Sequence, residues 1–376
     1  MTRAVRCPPP RTTAAPVAAA AALTMALLLA GCAAAEKPRF ELGLDATAET
    51  RRLMWPAART GEVPRYFYAG ELTGDENFVQ PARATRSALD LLADFFEIVR
   101  GEAPPRRLYR PQAGVVDETG RILVTDLGRS AVYVFDEPSA TLTVWEQADG
   151  NRGFVAPVGI ALGPAGQVFV ADAELGLVAR LDREGNALSP IGKGQLARPT
   201  GLAFDAATGR LFVTDTREHK VKVFDLEGKL LAAWGEFGEG PGQLNFPTHL
   251  ALAGSRIYVS DTLNARIQTF STADGRWLGH VGRRGLYIGN LVRPKGVAVD
   301  GEGNLYVIES YFDHLLVFNR QGDFLMPIGG VGERAGRFHL PAGVWTDARN
   351  RVFIADTLNA RVSVFQYLGG GAENAE

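Results

Sequence analysis

The chain is poor in the residues that build metal centres and disulfide frameworks. It has two cysteines, five histidines and four methionines in 376 residues. Both cysteines, Cys7 and Cys32, precede any segment patterned for a core. No disulfide can therefore staple the body, so an oxidising compartment is permitted but not required. So few thiols and imidazoles leave little for a soft-metal site, and no cofactor is expected. Charge of one sign is missing as well. A formal net charge of −2 gives no global pull toward nucleic acid or an anionic membrane. Glycine, by contrast, is abundant: 43 residues, against a usual share of about 7%. A helical domain has no use for so many, whereas tight turns between short strands do.

The N-terminus has the layout of a targeting segment. Arg3, Arg6 and Arg11 precede an apolar run from Val17 to Ala30. That run of 14 residues falls short of the roughly 20 that cross a bilayer as a helix, and it suits a secretory signal. It ends Leu29-Ala30-Gly31-Cys32, which resembles the lipobox of bacterial lipoproteins. The resemblance implies a signal peptide over 1–31, diacylation of Cys32 and a membrane anchor. Ala33 after the cysteine, rather than Asp, implies the outer membrane. Residues 32–63 then read as the lipidated cysteine and a tether.

From Pro111 onward the chain repeats itself. Copies begin at Pro111, Pro157, Pro199, Pro247, Pro294 and Pro341, and each leads into a β-rich run ending in an acid. Those acids are Asp126, Asp172, Asp215, Asp261, Glu309 and Asp356, spaced 46, 43, 46, 48 and 47 residues apart. A third apolar run in each copy closes on Phe135, Leu181, Phe224, Phe270, Phe318 or Phe365. Four short strands per 40–50 residues is the period of a propeller blade, so the fold expected is an all-β, six-bladed β-propeller over 64–368. The last copy stops after three strands, and Arg65 to Glu71 matches the missing fourth. An N-terminal strand closing the last blade would remove two exposed edges. Between it and blade one, Leu91, Leu92, Phe95, Phe96 and Val99 recur at helical spacing, predicting a helical insertion at about 82–100. A short flexible tail is expected over 369–376.

The stretches Asp261–Arg266 and Asp356–Arg361, both Asp-Thr-Leu-Asn-Ala-Arg, resemble NHL repeats over about four-fifths of the chain. The resemblance implies the propeller fold and assigns the repeat acids Asp126, Asp172, Asp215, Asp261 and Asp356 to scaffold. Each is expected to satisfy backbone donors and the Arg of the following strand, and the repeat prolines and glycines to serve turns. Function is then sought where copies disagree. His249 replaces a repeat glycine whose counterparts are read as Gly114, Gly159, Gly201, Gly296 and Gly343. Glu309 replaces Asp, followed by Ser310-Tyr311-Phe312-Asp313-His314, with Glu174-Leu175-Gly176-Leu177 at the same place in the opposite blade. Loops joining strands two to three, and blade to blade, share one face. They carry Arg110, Arg129, Arg198, Arg217, His219, Lys220, Arg293 and Lys295, against acidic turns such as Asp117-Glu118 and Asp300-Gly301-Glu302 on the other. A dipolar disc with a basic, partly aromatic binding face is expected.

These features suit a lipid-anchored, non-catalytic scaffold for an envelope protein or glycan, monomeric by itself and with no nucleic-acid role. Resemblance to bacterial NHL lipoproteins implies an accessory part in an envelope or extracellular redox assembly. The alternative is a propeller lactonase or lyase, whose relatives hold a divalent ion at the channel mouth with Glu, Asp and Asn. The inner-strand starts here offer Gln112, Thr200, Thr248, His249, Lys295 and Trp345, with no carboxylate.

Overall fold

Six antiparallel sheets stand around an axis, five of four strands that run inside to outside in chain order and a sixth of five strands. The computed structural model describes residues 38–43, 53–57, 63–79 and 104–369. The signal segment, Cys32, the expected helix at about 82–100 and the last residues of the tail lie outside these. Blades one to five start with inner strands Pro111–Val116, Pro157–Leu162, Pro199–Asp205, Pro247–Ala253 and Pro294–Val299. Blade six uses Val344–Thr346, Arg351–Asp356 and Arg361–Tyr367, then takes Tyr66–Leu72 as its outer strand.

The strands are apolar to different degrees because neighbouring blades cover them differently. Second strands such as Val168–Asp172 are buried on both faces and read as unbroken apolar runs. Outer strands such as Leu230–Trp234 meet solvent and do not. Core side chains form six clusters, each shared by two adjacent blades; Phe169 and Ala171 of blade two, for example, pack with Leu202, Val213 and Phe224 of blade three. The aromatic or Leu that ends each third strand is at most 2% exposed. Truncating such a ring to Ala costs about 3–5 kcal/mol in comparable cores.

The ring closes as its pattern implied. Tyr66–Leu72 pairs antiparallel with Arg361–Tyr367, from Val362 opposite Leu72 to Tyr367 opposite Tyr66. Arg361 Nη1 lies 2.9 Å from Glu71 Oε2 across the joint, and Arg361 Nε lies 2.9 Å from Asp356. On the other side, Thr357 Oγ1 donates to the Pro111 carbonyl, stitching blade six to blade one. Thr216 and Thr262, also just after a repeat acid, stitch to Pro247 and Pro294 in the same way. The expected tether through residue 63 needs correcting. Arg39–Phe40 pairs with Phe78–Val79, and Met54–Trp55 adds a fifth strand to blade six. The Trp55 ring packs edge-on against Phe365 at 5.2 Å. Strands of two residues carry no period, so a periodicity reading does not find them.

Candidate functional site

The repeat acids are all essentially buried, and each clamps the incoming linker to the loop after strand two. Asp172 accepts the N–H groups of Val155, Ala156, Glu174 and Leu175. Asp126 does the same for Tyr109, Arg110 and Arg129, and Asp215 for Ala197 and Arg198. Glu309, one methylene longer, still accepts from Val292, Arg293 and Tyr311. A buried carboxylate that collects several N–H groups stays satisfied without a counter-ion. An Arg partner in every blade is therefore not needed and not found. Asp261 pairs with Arg266 and Asp356 with Arg361, while Asp215 meets Lys222. Facing positions in blades one, two and five are Ala131, Leu177 and His314.

The inner strands wall a channel containing a cavity of about 380 Å³. Adjacent inner strands approach backbone to backbone, and that, rather than a turn, is what the repeat glycine serves. A Cβ on Gly159 would lie 1.9 Å from the Thr200 carbonyl oxygen, and one on Gly343 would lie 2.3 Å from that of Gln112. Blade one shifts the assignment by a residue. Ala113, whose N–H meets Thr125 Oγ1 as Gly201 meets Thr214, holds the equivalent place. Gly114 instead makes room for the Trp345 ring, which stacks on Phe353 at 5.4 Å.

His249 occupies the glycine place in blade four, among lining residues that are otherwise mostly Gly, Ala, Val and Leu. Its Nδ1 lies 3.1 Å from Thr248 Oγ1, and its Nε2 is enclosed without a hydrogen-bond partner. Burial first, and the Lys295 charge second, push its pKa down to about 3, so the ring is neutral in ordinary buffers.

The other expected site residues lie on the linker face but divide by role. Arg198 is paired with Glu174 at 2.7 Å, and Arg293 donates to Ser310. His219 accepts from the Phe246 N–H and packs its ring against Phe237 and Phe246. Arg217 and Lys220 form no ion pair among the described residues. Glu309, Phe312 and His314 line a 200 Å³ cleft beneath the tip Leu286–Asn290. Burial holds His314 below the usual histidine range. Tyr311 stays exposed, edge-on to Phe312 at 4.9 Å.

Blade two does not mirror blade five, because Leu177 is fully buried and Leu175 packs into the blade one–two core. The apolar surface is instead built by blade-to-blade linkers that strand patterning had passed over. Leu286, Tyr287 and Ile288 are 73%, 84% and 66% exposed, joined on this face by Phe237 and Val331. The opposite face is also less acidic than expected, because Arg121, Arg349 and Arg351 pair there with Asp117, Glu137 and Asp347. Acids of the opposite face, such as Asp117, Asp182 and Asp300, fold their own turns by accepting N–H groups two and four residues on.

A model of the NHL repeat matches residues 196–224, the linker and first three strands of blade three. The chain is 29% identical over 140 residues to Protein brain tumor of Drosophila melanogaster, covering 36% of this chain and 13% of that protein. It is 31% identical over 158 residues to Peptidylglycine alpha-amidating monooxygenase of Rattus norvegicus, covering 38% and 16%. The chain is a six-bladed β-propeller that carries an NHL repeat. It spans less than a fifth of either relative. Among solved structures, a streptogramin B lyase matches the propeller with TM-score 0.53 at 12% identity, covering 71% of this chain and 95% of that one. An auxiliary nutrient binding protein from Bacteroides thetaiotaomicron VPI-5482 matches with TM-score 0.55 at 14% identity, covering 69% and 70%. At such identities these two speak for the fold alone.

A divalent ion at the linker-face mouth of the channel does not fit the described residues there. The residues just outside the wall are Gln112, Val158, Thr200, Thr248, Lys295 and Ala342. They offer one histidine nearby, no carboxylate, and an ammonium that would repel a cation.

Proposed function

We propose that this NHL propeller is a lipid-anchored binding scaffold of the bacterial outer membrane that engages an envelope protein through its linker face. The observation that carries the reading is the exposed apolar tip Leu286–Tyr287–Ile288, set among Phe237, Val331 and Tyr311 on the same face. Soluble proteins seldom leave so many large apolar side chains clustered in water unless something covers them. Unpaired Arg217 and Lys220 beside them favour a partner with acidic groups at its rim. An accessory role in an envelope or extracellular redox assembly is the setting that its resemblance to bacterial NHL lipoproteins favours.

Two experiments test the two halves. Cys32→Ser should move the protein from the membrane to the soluble fraction of cells; retention in the membrane would remove the lipid anchor from the account. When gently solubilised envelopes are sized, the parent should run in a higher-mass species that Tyr287→Ser with Ile288→Ser abolishes, with the melting temperature unchanged. Survival of that species in the double variant would contradict the face.

A further inference from the structure

The linker-face mouth of the channel carries three cations, Lys295, Arg293 and Arg110, that form no ion pair among the described residues. Lys295 follows the proline that opens blade five's inner strand, two residues before Val297, the first residue of that strand on the channel wall. Its ammonium has no hydrogen-bond or ion-pair partner among the described residues. Burial first, then Arg293 and Arg110, hold its pKa below the usual lysine range. Neither arginine forms an ion pair there. The Arg293 side chain donates only to Ser310, and the Arg110 side chain has no partner among the described residues. The loop acids of blade five are spent on backbone. Glu309 accepts from Val292, Arg293 and Tyr311, and Asp313 accepts from Leu340. Partly burying a lysine beside two like charges costs free energy that an incoming anion would recover. Behind the mouth, the wall is apolar, with Val115, Leu162, Leu202, Leu252, Val297 and Val344 around the 380 Å³ cavity. That volume lies within the range of small-molecule sites, which pair an apolar body with a few placed polar groups.

We propose that the channel binds a small organic carboxylate, its head held by Lys295, Arg110 and Arg293 at the mouth and its short apolar body received by the channel wall. His249 and Thr248, next along the rim, offer neutral polar contacts beside the head group. The site is independent of the partner proposed for the outer linkers.

Calorimetric titration of the purified full chain with acetate, butyrate, hexanoate and octanoate, and with octylamine, tests this. Affinity should rise along the carboxylate series as more apolar surface is buried, and octylamine should not bind. Lys295→Met should weaken the best carboxylate about tenfold or more, and Arg110→Gln should weaken it as well. Without ligand, Lys295→Met should melt no lower than the parent, because it relieves repulsion, which guards against misreading a folding defect. Lys193→Gln, which breaks an exposed pair with Asp149, should leave binding unchanged. No carboxylate binding by the parent, equal binding of the amine, or full affinity in a folded Lys295→Met protein would overturn the proposal.

Discussion

At the scale of residues, this protein separates repetition from exception. Each repeat acid does the same local work, and its N–H partners explain why Asp and Glu are both tolerated. His249 is the exception with a measurable consequence. Its folded pKa, near 3, lies well below the ordinary histidine value of 6.5. The unfolded chain thus takes up a proton below pH 6.5 that the folded chain refuses. Stability from this group is full above pH 6.5 and is lost as pH falls toward 3. Between pH 6.5 and 5, His249 should remove up to about 2 kcal/mol. Urea unfolding at both pH values, with His249→Asn for comparison, should show the parent losing more than the variant; equal losses would mean that the imidazole is not held neutral. The acids, the prolines and the His249 substitution were all legible in the sequence. The purpose of the glycine was not, since a Cβ clash between neighbouring blades is a contact between residues far apart in the chain, such as Gly159 with Thr200 and Gly343 with Gln112.

At the scale of elements, the joint between the two ends of the folded chain decides whether a ring exists. Tyr66–Leu72 covers Arg361–Tyr367, whose Val362, Val364 and Phe365 are fully buried. A chain beginning after Leu72 should present that seven-residue strand as a free edge. It should melt lower and associate, and a peptide spanning 63–79 added in trans should restore the monomer. A soluble, monomeric truncation with unchanged melting would show that the joint is dispensable. This strand was legible because it carries the same alternation as its five counterparts. Arg39–Phe40 and Met54–Trp55 were not, because pairs of two residues carry no period. The linker tips escaped for a related reason. Leu286-Tyr287-Ile288 reads as one more apolar run, and only the ring geometry turns it outward.

At the scale of the whole molecule, the six blades give two faces with different chemistry. The face of the one-to-two and three-to-four turns is built from Asp-based turns whose carboxylates serve their own backbone. The linker face keeps exposed apolar tips over blades three to six, unpaired Arg217 and Lys220, and the cationic mouth of the channel. Binding by the linker face is the central claim. Its most direct measurement is a photo-crosslinking scan in living cells, with a photoreactive residue placed singly at Phe237, Tyr287, Tyr311 and Val331, and at Glu227 and Asp274 on the opposite face. The account predicts crosslinks to one common partner from the first four positions and none from the last two. Crosslinks confined to Glu227 and Asp274, or spread evenly over both faces, would contradict it.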